Sequence, residues 1–107
     1  MSNKLYRVEL TRLARKDLKK LRHHLDKALD AINLLEADPF AGHRLEGTLR
    51  DCRSLEFNLK GSGAYRAVYF IREDKTICLV FLIHAHENVY VEAERRLKGA
   101  RTQLDEL

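Results

Sequence analysis

An α+β fold, with helices laid against a largely antiparallel sheet, is predicted by three patterns in this chain of 107 residues. Apolar and charged residues alternate over 5–10 and again over 55–59, the period-two pattern of half-buried strands. Between those segments, apolar residues recur at three-and-four spacing from Leu13 to Leu35, which sets them on one stripe of a helix. Two longer apolar runs, 65–72 and 76–85, then follow one another across the polar link Glu73-Asp74-Lys75. The predicted order is an N-terminal strand, a two-helix hairpin, a three-strand antiparallel meander and a short C-terminal helix.

Residues 5–10 form the opening strand, and Thr11 offers a hydroxyl cap to the helix that follows. Leu13, Ala14, Leu18, Leu21 and Leu25 lead into Ala28, Leu29, Ile32 and Leu35 with no glycine or proline at Arg22-His23-His24. Periodicity therefore permits one helix or two, and a hairpin is preferred. Asp38-Pro39 closes the helical region, because the residue before proline is pushed out of the helical basin. Residues 39–53 read as a loop flexed at Gly42 and Gly47. In the next strand Leu55, Phe57 and Leu59 face one side, Glu56 and Asn58 the other, and Gly61-Ser62-Gly63 turns into the meander. The strand at 76–85 is apolar almost throughout, as a central strand covered on both faces would be. Residues 91–98 have helical character, and beyond Gly99 the sequence is too polar to assign.

The length suits one domain, 1–107, with a single core. With 45% hydrophobic and 34% charged residues and one proline, the composition excludes a disordered tail or a fibre. Twenty Lys+Arg against sixteen Asp+Glu leave a net charge of +4, which favours a polyanionic partner. The excess is concentrated in residues 4–27, where nine basic side chains, beginning at Lys4, face three acidic ones. Cys52 and Cys78 lack metal-ligand or redox spacing, so a reduced, cytoplasmic protein is the simplest reading. The longest apolar run, 77–83, is too short to span a bilayer, and no secretory leader is expected. His84 and His86 share one side of a strand and His23-His24 are adjacent, but neither pair has the further ligands of a zinc site, so no metal and no cofactor is expected.

The order β, α, α, β, β, β, the Leu45-x-Gly47 element, the Tyr65-Arg66-x-Val68-Tyr69 strand and the rim Ile83-His84-Ala85-His86-Glu87-Asn88-Val89-Tyr90 together resemble the RelE/ParE superfamily of toxins from bacterial type II toxin-antitoxin pairs. The resemblance covers roughly residues 5–97. It implies a sheet whose concave face meets mRNA in the ribosomal A site, where RelE-like members cut it without a metal, the RNA's own 2′-hydroxyl acting as nucleophile. The protein then supplies a proton acceptor, a proton donor and cations for the phosphate.

On that resemblance Arg66 matches the strand arginine that holds the scissile phosphate, a task suited to the guanidinium fork. It equally suits an ion pair with Glu56. His86 takes the place of the catalytic histidine of the YafQ-like branch, and histidine exchanges protons near neutral pH. Tyr90 matches the rim tyrosine that stacks on or hydrogen-bonds the substrate, against the alternative of an aromatic packing the final helix. His43, before Gly47, resembles a second YafQ-branch histidine. Two lysines of RelE are replaced by Glu56 and Asn58, and Glu56 is a candidate base as in the YoeB-like branch. Arg44, Arg50, Arg53 and Lys60, with Lys16 and Lys20 on the first helix, are the expected RNA contacts. The implied partners are a cognate antitoxin, which covers the concave face or displaces the last helix, and the ribosome with its mRNA. The alternatives are a ParE-like poison of DNA gyrase without nuclease activity and an inert relative that only binds its antitoxin or nucleic acid.

Overall fold

The computed structural model describes residues 5–107; Lys4, counted above in the basic segment, lies outside them. The chain runs through β1 (Arg7–Leu10), α1 (Arg12–Lys19), α2 (Leu25–Ala37), β2 (His43–Arg44), β3 (Cys52–Leu59), β4 (Gly63–Arg72), β5 (Ile77–Ala85) and α3 (Val89–Glu106), with 3-10 turns at Gly47–Leu49 and Glu73–Lys75. One five-stranded sheet has the order β1-β5-β4-β3-β2. β1 lies parallel to β5, and the other pairs are antiparallel. The mixed α+β class and the helical hairpin are as predicted.

Three expectations are corrected. The loop at 39–53 contains a two-residue strand, with His43 opposite Ser54 and Arg44 opposite Arg53, and β3 begins at Cys52 rather than Leu55. The opening strand is shorter than 5–10, because the Tyr6 N–H donates to Glu36 O at the end of α2 (2.7 Å) instead of continuing along β5. The closing helix is 18 residues long, not a short segment at 91–98. Its stripe of Val89, Ala93, Leu97, Ala100 and Leu104 keeps helical spacing past Gly99 and packs on the sheet, while the polar residues that obscured it face water.

The long α3 makes this a three-layer molecule rather than a sheet with helices on one face. On one side Ala14, Leu18 and Leu21 of the first helical segment and Ala28, Ile32 and Leu35 of α2 pack on Leu59, Ala67, Tyr69, Cys78, Val80 and Ile83. On the other, Val89, Ala93 and Ala100 of α3 cover Cys52, Val68, Phe70, Phe81 and Leu82. The register between β4 and β5 shifts at Val68/Tyr69, pairing Val68 with Leu82 and Tyr69 with Val80. The unpaired Phe81 is a bulge, which lets Phe81 and Leu82 both enter the α3-side core. The hairpin breaks where α1 tightens into three-residue hydrogen bonds, Lys20 N–H to Asp17 O, Leu21 N–H to Leu18 O and His24 N–H to Leu21 O. The Thr11 hydroxyl caps α1 by accepting from Ala14 N–H at 3.1 Å.

Two buried polar features lock these layers. The Tyr69 hydroxyl donates to Pro39 O (2.7 Å) and accepts from Gly42 N–H (3.0 Å), fixing the chain before β2. Asp17, only 7% exposed, interrupts the apolar stripe of α1, and Arg96 interrupts that of α3. Their side chains meet bidentately at 2.7 and 3.1 Å. β1 pairs with β5 only as far as Val80, and beyond that point the Ile83 N–H donates to Asp17 Oδ2 (3.0 Å) while Arg96 donates to Phe81 O (3.0 Å). The ion pair thus takes the place of a missing strand on the edge of β5. Burial works against the Arg96 charge, but the hydrogen bonds and charge of Asp17, with Glu92 adding, outweigh it and raise its pKa.

Candidate functional site

Arg66 stands on β4 directly opposite Glu56 of β3 and His84 of β5, so the pleat sends this row of side chains to the α3 side of the sheet. Pairing with β4 persists one step beyond β5, where the His86 N–H donates to Ala64 O (2.9 Å), and this returns the imidazole to Arg66. Asn88 then turns the chain with φ +60°, a left-handed conformation that asparagine tolerates better than most residues. Tyr90 in the first turn of α3 is thereby folded back over the sheet.

Three of the predicted site residues contact a fourth, Arg66, and the fifth joins the group through one of the three. Arg66 Nε donates to His86 Nδ1 (3.0 Å), Nη1 to the Tyr90 hydroxyl (3.0 Å), and Nη2 pairs with Glu56 Oε1 (2.8 Å). The Tyr90 hydroxyl also lies 3.5 Å from His43 Nε2, which brings the β2 histidine into the group. The Arg66 guanidinium is 5.7 Å from the Tyr90 ring centroid, a cation–π distance. The expected ion pair with Glu56 is present, and it leaves Arg66 at the centre of the rim. The Tyr90 ring packs against the α3-side core while its hydroxyl joins the polar group.

The hydrogen bonds constrain the chemistry. A guanidinium carries five N–H groups, and three are used, so one on each terminal nitrogen of Arg66 remains for an incoming anion. Because Nδ1 of His86 accepts from Arg66, the neutral ring carries its proton on Nε2. The Arg66 side chain is only 14% exposed, whereas Glu56 is 49% and His86 57% exposed. The cation is thus held in the wall, and the groups able to exchange protons reach the solvent.

The other predicted contacts divide by location. Arg44, Arg50 and Arg53 line a cleft of about 510 Å³ at the β2–β3 edge; of the three only Arg44 also lines the hollow of about 490 Å³ that His43 and Tyr90 share with Gly47, Thr48 and Glu94, and Arg53, in register with Tyr69, lies on the α1/α2 face of the sheet, away from Arg66. Lys60 is exposed where β3 runs into the β3–β4 turn. Lys16 and Lys20 are exposed on and just after α1, on the opposite side of the sheet from Arg66, and are not brought to this site. His23 is exposed, His24 bonds Ser62 (3.0 Å), and His84 bonds Ala85 O. Among the described residues no three His, Cys, Asp or Glu side chains form a group able to hold a metal ion, and no helix is long and apolar enough to cross a membrane.

Sequence reading missed the Asp17–Arg96 clasp and the Tyr69 lock. A charged residue breaking the apolar stripe in each of two helices was the available sign of the clasp. Nothing local marked the lock.

An α+β toxin fold is the class that this topology and rim define. Residues 8–94 match the family described as ParE-like toxin of type II bacterial toxin-antitoxin system, and the chain belongs to that family, within the RelE/ParE superfamily that its motifs resemble. The toxin-antitoxin complex RelBE2 from Mycobacterium tuberculosis is similar at 27% identity, with 77% of this chain and 99% of that chain covered and a TM-score of 0.66. A double-arginine mutant of the E. coli toxin RelE in the free state is similar at 27% identity over 86% of this chain and 97% of its own, with a TM-score of 0.65. A YoeB/ParE toxin from Agrobacterium tumefaciens, 19% identical over 75% of this chain and 98% of its own at a TM-score of 0.60, shares the fold. No curated protein matches the sequence significantly.

Proposed function

We propose that this toxin is a ribosome-dependent mRNA endonuclease, neutralised by a cognate antitoxin as in the RelBE complexes it resembles. The observation that carries this reading is the convergence of Glu56, His86 and Tyr90 on the single guanidinium of Arg66, with His43 beside the Tyr90 hydroxyl. An acceptor, a donor, an aromatic platform and a phosphate-binding cation on one rim are what cleavage by an RNA 2′-hydroxyl requires.

In this reading the two free N–H groups of Arg66 take the scissile phosphate, with Tyr90 beside the neighbouring base. Glu56 accepts the 2′-hydroxyl proton as the O2′–P bond forms. The P–O5′ bond breaks, and the departing 5′-oxygen takes a proton from the His86 imidazolium, leaving a 2′,3′-cyclic phosphate and a 5′-hydroxyl. Neutral His86 then settles with Nδ1 on the Arg66 Nε–H, the bond present here. The Glu56 Oε1–His86 Nδ1 separation of 3.9 Å is a short path for returning the proton.

The ParE-like description of the family, with Glu56 and Asn58 in place of two RelE lysines, favours a second reading, a gyrase poison. Induced cells separate the two. The nuclease reading expects messages cut within translated regions, and relief of growth arrest by Arg66→Ala and His86→Ala with antitoxin binding intact. Chromosome breaks linked to gyrase, with intact messages and unrelieved toxicity, would overturn it.

A further inference from the structure

The hollow of about 490 Å³ beside the rim lies on Arg66's own face of the sheet. His43 is opposite Ser54, and Ser54 is opposite Val68, whose side chain belongs to the α3-side core, so the pleat sends His43, like Arg66, toward α3. Tyr90 belongs to both places, since its hydroxyl accepts from Arg66 Nη1 at 3.0 Å while the residue lines the hollow. Glu94, four residues on and about 6 Å along α3, lines it too. A nucleotide whose phosphate sits on Arg66 can therefore place its own or the adjacent base there.

The lining is unlike that of a phosphate site. Leu45 and Leu49, both buried, make it partly apolar, and Tyr90 gives it an aromatic wall. Two exposed carboxylates, Glu46 and Glu94, line it in a protein of net charge +4. Neither forms an ion pair among the described residues. Glu94 is fixed by a neutral donor instead: the Thr48 hydroxyl donates to its Oε2 at 3.1 Å, which leaves Oε1 and a second lone pair of Oε2 unclaimed. The Glu46 side chain makes no such capping bond. An unneutralised carboxylate repels a phosphate but accepts from a base amine, so this wall suits base edges rather than backbone. On the Watson–Crick edge guanine alone presents two adjacent donors, N1–H and the N2 amine, to match two carboxylate oxygens. Adenine and cytosine offer one amine beside a ring acceptor, and uracil offers one N–H between two carbonyls that a carboxylate repels.

We infer that Glu94 is a specificity-determining residue, which accepts from the Watson–Crick edge of a guanine seated in this hollow beside Tyr90. The inference rests on the nuclease reading for its place in a reaction, but base-selective binding tests it separately. A basic peptide would satisfy the carboxylates alone; the apolar lining, the aromatic wall and the guanidinium next to the hollow favour a nucleotide.

The experiment is a fluorescence titration of the full chain with labelled oligouridylates of about ten nucleotides, 2′-O-methylated throughout so that they cannot be cut. Their central nucleotide is guanosine, inosine, which lacks the N2 amine, or uridine. Wild type is expected to bind the guanosine strand about 5- to 150-fold more tightly than the uridine strand, the range for one bidentate base contact, with the inosine strand between. Glu94→Gln keeps the size of the side chain and an acceptor for Thr48 but loses the charge and one acceptor oxygen, so the ratio of guanosine to uridine affinity should fall close to one. Thr48→Val, which removes only the anchor, should lower the ratio less. Melting temperatures equal to wild type certify both variants, and the comparison among strands on wild type needs neither. Equal affinity of wild type for the three strands, no binding of any, or a guanosine preference that survives Glu94→Gln would overturn the inference. So would an equal loss of affinity for every strand in Glu94→Gln, which would leave Glu94 only a structural partner of Thr48. Binding of oligolysine more tightly than RNA, abolished by Glu94→Gln, would overturn it too and assign the hollow to a basic peptide. Guanosine-selective binding without cleavage on ribosomes would defeat only the nuclease reading; cleavage without guanosine selectivity would defeat only this inference.

Discussion

Replacing Arg96 by methionine tests the clasp that joins both helical layers to the sheet. The substitution removes both donors to Asp17, the donor to Phe81 O and the contact with Glu92. It leaves a carboxylate that is 7% exposed with only the Ile83 N–H as partner. Breaking one side of a buried pair costs about 3–5 kcal/mol, a large part of the 5–15 kcal/mol typical of a domain. With a urea m-value of about 2 kcal/mol/M, the unfolding midpoint should fall by about 2 M, read by circular dichroism. Adding Asp17→Leu removes the stranded charge, so the double variant should recover more than half of the loss. A midpoint for Arg96→Met within about 0.3 M of wild type, or a double variant as unstable as the sum of the singles, would refute the assignment.

Further consequences are smaller in scale. Tyr69→Phe leaves both Gly42 N–H and Pro39 O without their partner and should destabilise the fold by about 2–4 kcal/mol in urea unfolding; Gly42→Ala acts on the same place, since a Cβ there would lie 2.7 Å from Ser54 O and from the Tyr69 hydroxyl. Burial pushes both thiols, Cys52 and Cys78, up to about 12, so a disulfide reagent at pH 8 should label them only as fast as the protein unfolds. The hydrogen bond from Arg96, opposed by burial, holds Glu92 below the usual carboxylate range. Its stabilisation is complete above the ordinary glutamate value of about 4.3 and is lost as pH falls through the lower folded value, so Glu92→Gln should flatten the acid side of the stability profile.

Much of this fold is legible because its strands and first two helices announce themselves locally. The alternation at Leu55, Phe57 and Leu59 and the stripe from Ala14 to Leu35 are consequences of burying one face, and the structure buries those faces. The strand His43–Arg44 and the half of α3 beyond Gly99 illustrate the opposite case. β2 exists only because β3 offers it an edge, and α3 is stabilised by a narrow stripe of small residues over Phe70 and Phe81, a tertiary contact that composition hides beneath charge. The site is legible in its members and not in its wiring. Arg66, His86 and Tyr90 could be picked from the sequence by resemblance, but their hydrogen bonds depend on the left-handed turn at Asn88 and the continued pairing of His86 with Ala64.

In the proposed nuclease one guanidinium organises the chemistry of the rim, and purified ribosomes programmed with a defined mRNA provide the decisive assay. Arg66→Lys keeps a positive charge but cannot bond His86, Tyr90, Glu56 and a phosphate together. Cleavage at the A-site codon, measured by primer extension, should fall by at least about 10²-fold, with melting temperature and antitoxin binding unchanged. Cleavage by Arg66→Lys at the wild-type rate, or none by the wild-type protein on programmed ribosomes, would show that Arg66 does not play this part.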